Sequence, residues 1–437
     1  MLNKKNIKLI FITLFFLLSY HLSYVYYIYP NFSYADYGYH PSGIIIIVLA
    51  YICSIYPLLF YKPVMTPANY GLSLVYTFCF APALLTLSFQ WNKDFYSLVI
   101  ILIMFSISMS LLFNTVFGDR WSCRHNSKDL KSNLSKLYIY ILTIISVIFL
   151  LYDNFHHMRF VSFYDVYALR FESRDATSSI FSGYMVMWLS ICFIPYYATV
   201  GILNRNLKFI GISILLALLV YMANGSKSAL LLPFVIFFVA FIISLKRADF
   251  LIVIITLMTF AILILLCLDM PGLEMTKAIF FMRTLATSGW TLTTYYDYFS
   301  EHGYTYFSHI GIVNYFTGLY PYGEYSLGQM IGLEYSGSSD ANFNANFWAT
   351  DGFAAFGIIG VIPATLFMML IVSMIDRIAA NYNSTFVALW LTGFWITITN
   401  APMSTSLLSG GGLLVLFLLS CNIQLRMNLN RFIMKRK

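Results

Sequence analysis

The chain has 437 residues, of which 60% are hydrophobic and only 10% are charged, and its mean hydropathy is +0.76. A water-soluble domain carries roughly a quarter charged residues, so this composition excludes a soluble globular protein and indicates a chain that resides in lipid. The net charge of +8 at pH 7 is then better explained by the Lys and Arg excess of cytoplasmic membrane loops than by nucleic-acid binding.

Twelve apolar runs divide the chain, each close to the roughly twenty helical residues that cross about 30 Å of hydrocarbon. Because an isolated strand cannot satisfy its backbone hydrogen bonds in lipid, these runs predict helices. The expected fold class is an all-α polytopic membrane protein of about twelve transmembrane helices, forming a single membrane domain over residues 1–437. In chain order the predicted spans are 7–29, 43–61, 69–89, 96–117, 137–152, 180–203, two within 207–245, 250–268, 352–375, 384–400 and 406–424.

The distribution of charged residues predicts how these spans are oriented. With the N-terminus in the cytoplasm, nineteen of the 26 Lys and Arg residues fall in cytoplasmic segments and fourteen of the 18 acids fall on the other side. Both termini are then cytoplasmic, and two functional segments, 153–179 and 269–351, lie outside. The first run follows three lysines and lacks a small-residue cleavage site, which favours an uncleaved span over a signal peptide.

The outer segment 269–351 is rich in polar and aromatic side chains. It carries two bases, Lys277 and Arg283, against eight acids. A connection this long is uncommon unless it is functional or disordered, and this one is too aromatic to be disordered. Its tyrosines and Trp290 have flat faces with a polar group, so they suit either a sugar-binding groove or an aromatic belt at the membrane interface.

Several chemistries are not indicated by the sequence. No segment predicted to face the cytoplasm has the Gly-rich loop that cradles nucleotide phosphates, and the turn Gly225-Ser226-Lys227-Ser228 matches only part of that loop, on the outer side. No Asp-x-Asp pair is present, and the six cysteines show neither a disulfide framework nor zinc spacing, so we expect no metal and no cofactor. A substrate used outside must therefore arrive already activated, for instance as a lipid diphosphate, which the planar guanidinium of arginine binds well.

The outer segment 153–179 supplies such arginines. If residues 164–174 are helical, Tyr167, Arg170 and Arg174 share one edge, while Asp165 and Glu172 share another. The cationic edge suits a diphosphate, and the acidic edge could position or deprotonate a sugar hydroxyl. The alternative is a solvated interfacial helix whose arginines contact lipid headgroups or pair with those acids.

The long outer segment offers a further arginine and several candidate bases. Arg283 follows the ninth span closely enough to lie near the membrane surface, where it either snorkels or binds an anion. His309 lies in an apolar run, 307–313, that favours a neutral imidazole in either a structural or a catalytic role. Asp351 stands at the start of the tenth span and is equally suited to cap a helix. The candidate bases on the outer side are Glu172, Glu301, His302, His309, Asp340 and Asp351.

The order of these features resembles the O-antigen polymerases, oligosaccharide repeat-unit polymerases that are related to the O-antigen ligases. The likeness rests on the Tyr-x-x-Arg element from Tyr167 to Arg170, the Gly-Ser-Lys-Ser turn at 225–228, the long later segment, and the run 346–360. It extends from about Tyr152 to Pro363, with the span count in support elsewhere. An Arg followed by ten residues and Gly, described for some polymerases, is absent: twelve residues separate Arg170 from Gly183 and five separate Arg283 from Gly289.

The resemblance implies a metal-independent, inverting glycosyltransferase of GT-C-like architecture in the bacterial inner membrane. Its substrate would be an undecaprenyl-diphosphate-linked oligosaccharide, moved on the periplasmic face onto the next lipid-linked repeat unit, with membrane lipid and a chain-length regulator as partners and no nucleic acid. It assigns diphosphate binding to Arg170 and Arg283, with Arg159, Arg174 and Tyr167 as further binding residues. His309 is the expected general base, with Glu172 and Asp351 as other catalytic candidates.

Two alternatives remain open. A twelve-span lipid-linked oligosaccharide flippase shares the span count, but such transporters need charged residues within their spans, and the predicted spans contain almost none. An O-antigen ligase is the nearer alternative within the enzyme class.

Overall fold

The computed structural model describes residues 4–41, 43–116, 134–162, 165–177, 179–245, 249–344 and 347–421, and these residues are helical with no β-strand among them. The predicted all-α fold is therefore confirmed. In chain order the first helices are α1 (Asn6–Ala35), α2 (Ile44–Leu59), α3 (Pro67–Gln90), α4 (Phe95–Thr115), α5 (Lys136–Asn154), α6 (Val166–Ala176), α7 (Phe181–Asn204), α8 (Leu207–Asn224), α9 (Lys227–Ser244) and α10 (Phe250–Cys267). They are followed by α11 (Thr287–His302), α12 (Gly311–Thr317), α13 (Leu327–Ser336), α14 (Phe347–Phe356), α15 (Val361–Ala379), α16 (Ser384–Trp390), α17 (Thr392–Ile398), α18 (Met403–Leu407) and α19 (Gly412–Ser420).

Within the described ranges, nine helices are long and apolar enough to cross a membrane, which makes this a multi-pass membrane protein. They are α1, α3, α4, α5, α7, α8, α9, α10 and the run Phe347–Ala379 that joins α14 to α15.

The other three predicted spans correspond to shorter helices. The helix α2 covers most of 43–61 but is too short to count among the nine, and its last turn, Tyr56–Leu59, is a 3-10 helix that contains Pro57. The predicted span 384–400 is divided between α16 and α17 at Leu391. The predicted span 406–424 is interrupted between α18 and α19, where Gly411 has a φ of 78°, and its residues 422–424 lie outside the described part of the chain.

Polar contacts join the connecting segments into two groups. In the first group, Lys62 Nζ donates to two carbonyls at the C-terminus of α4 at 2.8 and 2.9 Å. The Tyr61 hydroxyl donates to Asp249 Oδ1 at 2.6 Å, and the Thr66 hydroxyl donates to Asp376 Oδ2 at 3.1 Å. These contacts tie together the segments that flank α2, α4, α10 and α15.

The second group is called the loop face. Lys93 forms ion pairs with Asp297 at 3.0 Å and with Glu301 at 3.3 Å, and Arg174 pairs with Asp340 at 3.1 Å. The Tyr37 hydroxyl also lies 3.2 Å from Thr287 Oγ1. The loop face comprises the described residues of 36–43, 91–94, 155–179, 224–226 and 268–344.

Much of the long segment 269–351 is a helix packed on the bundle and not an irregular loop. A π-helical stretch, Ala278–Ala286, leads directly into α11. Along α11 the Ser288 hydroxyl donates to the Cys79 carbonyl at 3.2 Å, and a Cβ added to Gly289 would lie 2.4 Å from Thr86 Cβ and 2.8 Å from the Ala83 carbonyl. This close approach of α11 to α3 holds the polar residues of the long segment against the membrane helices.

The contact at Gly289 predicts that Gly289→Ala destabilises the protein, because the extra methyl group meets backbone and Cβ atoms of α3 that cannot move aside. Overpacking of this kind costs typically about 1–3 kcal/mol. The matched control is Gly211→Ala in α8, where no atom lies within 4 Å of the added Cβ. Thermal unfolding of the purified protein should show a lower Tm for the first variant alone, and equal Tm values would contradict the packing described.

Candidate functional site

Arg283 is the exposed cation of the long segment. It belongs to the π-helical stretch before α11 and lines a small pocket together with Thr287, Thr291, Phe343, Asn344 and Asn400. Arg283 forms neither an ion pair nor a hydrogen bond with the described residues. Among the residues that line the pocket, the side chains that could donate further hydrogen bonds to a bound molecule are the hydroxyls of Thr287 and Thr291 and the amides of Asn344 and Asn400. A guanidinium without a counter-ion beside two amide side chains is a suitable binding place for an anion.

Of the stretch 164–174 that the sequence analysis considered as a helix, residues 166–174 belong to α6, and its acid Glu172 is already paired. Arg159 donates to both carboxylate oxygens of Glu172, at 2.7 and 2.8 Å. This hydrogen bonding from Arg159 holds the pKa of Glu172 below its usual range. Both side chains are consequently engaged with each other in this structure.

The two arginines of α6, Arg170 and Arg174, contact other parts of the loop face. Arg174 Nη1 lies 3.1 Å from Asp340 Oδ1, which joins α6 to the long segment. Arg170 is exposed and its Nη2 donates to the Gly225 carbonyl at 3.5 Å, beside the turn between α8 and α9. The Tyr167 side chain lies outside the described residues.

The Arg174–Asp340 pair brings α6 toward the Arg283 pocket. Asp340 is four residues before Asn344, which lines that pocket, so the two Cα atoms are at most about 14 Å apart. Arg170 lies about 6 Å along the axis of α6 from Arg174. The segment 340–344 is thus bordered by α6 at one end and by the Arg283 pocket at the other, and Arg170 itself does not line the pocket.

A break between α14 and α15 positions His309. Phe356 leaves helical geometry with φ −148°, and Gly357 has a φ of 61°. The last carbonyls of α14 therefore lose their intrahelical partners. The N–H groups of Thr305 and Tyr306 satisfy two of them, donating to the Ala354 carbonyl at 2.8 Å and to the Ala355 carbonyl at 3.0 Å.

The same contact determines the tautomer of His309. The Thr305 hydroxyl has one proton and lies 3.0 Å from the Ala354 carbonyl and 2.8 Å from His309 Nδ1. With that proton directed at the carbonyl, the Thr305 oxygen accepts from His309 Nδ1–H, and this is the tautomer we assign. His309 Nε2 then carries the lone pair, and this buried atom has no hydrogen-bond partner among the described residues. Burial lowers the pKa of His309 to about 4, so the imidazole is neutral at physiological pH. Nε2 is available to accept a hydrogen bond or a proton.

Asp351 lies on α14, one turn before Ala354, and is only 2% exposed. Its Oδ2 accepts from the Met403 N–H at 3.0 Å, at the start of α18, so it caps that helix and not its own. Its Oδ1 is buried and has no hydrogen-bond partner among the described residues. Through Met403, which follows Asn400 by three residues, Asp351 is linked to the Arg283 pocket.

The predicted site residues thus fall into two sets. Around α14 lie His309, Asp351 and the Arg283 pocket, whereas Arg159, Glu172, Arg170 and Arg174 are on or beside α6, joined to the first set through Asp340. Sequence reasoning missed Asn344 and Asn400, because single asparagines in a chain carry no distinguishing pattern. It also missed Thr305, although its place four residues before His309 is a spacing at which side chains often bond.

No protein-family model, no curated protein and no solved structure matches this chain. The class of protein that the structure defines is the multi-pass helical membrane protein described above, with a polar loop face that carries a neutral histidine and an arginine without a counter-ion among the described residues.

The lowered pKa of His309 predicts a pH dependence of stability. The histidine of the unfolded chain takes up a proton near pH 6.5 whereas the folded site resists it until about pH 4, so the folded state loses stability as pH falls through this window. At pH 5 the loss amounts to about 2 kcal/mol. His309→Gln, which cannot be protonated, should flatten the decline in Tm between pH 7 and 5.

The control is His302→Gln, which changes an exposed histidine of the same segment and should keep the wild-type decline. Parallel Tm curves for the wild type and His309→Gln would contradict a buried, neutral His309.

Proposed function

We propose that this protein polymerises lipid-linked oligosaccharide repeat units, as the O-antigen polymerases do. It would transfer the growing glycan from undecaprenyl diphosphate to the next repeat unit, as a metal-independent, inverting glycosyltransferase of the bacterial inner membrane. The single observation that carries the proposal is Arg283, an exposed guanidinium without a counter-ion among the described residues, at a pocket lined by amide and hydroxyl side chains. A lipid diphosphate is the anion that a membrane enzyme without a nucleotide site would use.

The twelve-span orientation with both termini in the cytoplasm is part of this proposal. It is supported by the two groups of polar contacts, because the segments of the loop face are those that this orientation leaves outside. The Lys62, Asp249 and Asp376 contacts join segments that it leaves in the cytoplasm. The loop face would accordingly be periplasmic.

The reaction is a single displacement at the anomeric carbon of the growing glycan. A hydroxyl oxygen of the acceptor repeat unit forms the new bond to that carbon while the bond to the diphosphate oxygen breaks, and the undecaprenyl diphosphate leaves. Arg283, with Arg170 from α6, would stabilise the negative charge that grows on the leaving diphosphate. The hydroxyl proton passes to a base on the acceptor side, and one displacement inverts the configuration.

His309 is the candidate base that the local chemistry favours. Its Nε2 is neutral and without a partner among the described residues, whereas the Glu172 carboxylate is occupied by Arg159 and has a lowered pKa. Asp351 is the second candidate, but one of its oxygens already caps α18. A base must reach the hydroxyl it activates, and of His309, Glu172 and Asp351 only His309 combines a free acceptor atom with a position next to exposed residues of the loop face.

Arg283→Ala is expected to leave the protein in the membrane but to reduce surface glycan to single-repeat length, since removal of one donor to developing charge typically costs about 100- to 1,000-fold in rate. Arg170→Ala should act in the same direction. The corresponding Lys variants should recover only part of the activity, because an ammonium lacks the bidentate fork. The measurement is the ladder of chain lengths, with immunoblotting of the membrane fraction to confirm insertion.

A matched control is Lys208→Ala, which removes an exposed cation near the start of α8 and should give a normal ladder. A normal ladder in either arginine-to-alanine variant would remove that arginine from the mechanism.

Loss of the gene distinguishes the polymerase from its alternatives. A polymerase-null cell displays one repeat on its surface, a flippase-null cell displays none, and a ligase-null cell strands long chains on the carrier lipid. Against a flippase, the Asp, Glu, Lys and Arg residues of the nine candidate spans all lie within five residues of a helix end, so no charged route is lined through the described part of the bundle.

A further inference from the structure

The segment 306–319, which includes α12, exposes large apolar side chains that the described residues leave uncovered. No residue of α12 is buried. Within it Tyr315 is 85% exposed and Phe316 81%, and Ile312 and the following Leu319 are each 59% exposed. A surface that faces water rarely exposes so many aromatic and aliphatic side chains together unless a protein, a membrane or a ligand binds there. This segment is called the aromatic segment below.

The aromatic segment is continuous with the outward surface of α15. The rings of Tyr306 and Phe307 lie 5.3 and 5.7 Å from the ring of Phe356, at the end of α14. From there exposed apolar side chains continue down α15 at helical spacing, with Ile362, Leu366 and Leu370 between 50 and 61% exposed. This stripe belongs to a helix that crosses the membrane, so hydrocarbon is its solvent.

Charge distinguishes the aromatic segment from its surroundings. Residues 306–319 contain no Asp, Glu, Lys or Arg, and its one histidine, His309, is neutral because burial lowers its pKa to about 4. The exposed acids Glu301 and Glu324 stand on either side of the segment. Tyr is one of the residues that membrane proteins place at the boundary between headgroups and acyl chains, and Phe and Leu occupy the apolar face of helices that lie there. A short helix with this composition is suited to lie in that boundary, between two acidic positions that remain in water.

We propose that the aromatic segment is inserted into the membrane leaflet at the loop face, where its occupant is lipid hydrocarbon continuous with the lipid around α15. The sharp turn that starts it, with φ of 53° at Tyr306 and 60° at Phe307, directs the chain from the capped carbonyls of α14 out to that leaflet. His309 then lies between the inserted side chains and α14, at the edge of the bilayer. If the proposed function holds, a lipid-linked substrate would reach His309 laterally, without its polyprenyl chain leaving the membrane; the lipid contact itself does not depend on that function.

The experiment is spin labelling of the full chain in liposomes, with depth read from the ratio of relaxation by oxygen and by a water-soluble nickel chelate. Nitroxide labels are placed one at a time at Ile312→Cys and Phe316→Cys. Leu370→Cys on α15 serves as the lipid reference, and Glu324→Cys in the same long segment serves as the water reference. The background retains the buried cysteines and replaces three others by serine: Cys123, Cys267 and Cys421.

We expect the labels at 312 and 316 to resemble the label at 370, with oxygen accessible and the chelate excluded by at least severalfold relative to position 324. Chelate access equal to that at position 324 would show that the segment faces water and would overturn the proposal. Protection from both reagents would show a protein contact, such as a second copy of the chain, and would overturn it too. Because no catalytic readout is used, failure here leaves the glycosyltransferase proposal to its own test.

Discussion

The break between α14 and α15 is the constraint from which the candidate site follows. A helix that ends inside a packed structure exposes carbonyl groups that must find donors, because an unsatisfied buried carbonyl costs about 1–3 kcal/mol. Thr305 and Tyr306 supply those donors to Ala354 and Ala355. The same two hydrogen bonds that complete α14 therefore attach the long segment to it, and they place the Thr305 hydroxyl where it contacts both Ala354 and His309.

Close backbone approach keeps this break in place. A Cβ added to Gly352 would lie 2.4 Å from the Gly360 carbonyl, so the backbones on the two sides of the break approach too closely for a side chain at this position. On the other side of α14, Asp351 accepts from the N–H of Met403 and fixes the start of α18. The short buried helix α14 thus contacts the start of the aromatic segment through the Ala354 and Ala355 carbonyls and the start of α18 through Asp351. In this way it connects parts of the chain that are far apart in sequence.

Hydropathy predicted the long helices because a span of twenty apolar residues has few alternatives in lipid, and nine of them are found in the described residues. It could not predict how 384–400 is divided, since Leu391 is as apolar as its helical neighbours. The division of 406–424 did have a sequence signal, the run Gly410-Gly411-Gly412, in which Gly411 has a positive φ. Hydropathy also could not show that 278–302 forms a helix on α3. The buried Thr287 and Thr291 hydroxyls donate to carbonyls of their own helix, and the Ser288 hydroxyl donates to the Cys79 carbonyl of α3, a contact that exists only in the folded chain. For the site, the sequence supplied the residue types at Arg283 and His309, whereas Asn400 lines the Arg283 pocket only because the chain folds back on itself.

The electrostatics of the loop face bear on how the proposed reaction would use a base. Among the described residues, four acids of the long segment form ion pairs. Asp297 and Glu301 pair with Lys93, Asp340 pairs with Arg174, and Asp269 pairs with Lys277. Arg283 has no such partner among the described residues, and His309 remains neutral because burial disfavours its cation. If the proposed function holds and the diphosphate at Arg283 lies close to His309, its negative charge would favour the imidazolium form and raise the pKa of that histidine. A base with a resting pKa of about 4 would then be a weak acceptor in the empty protein and a stronger one once the substrate is bound.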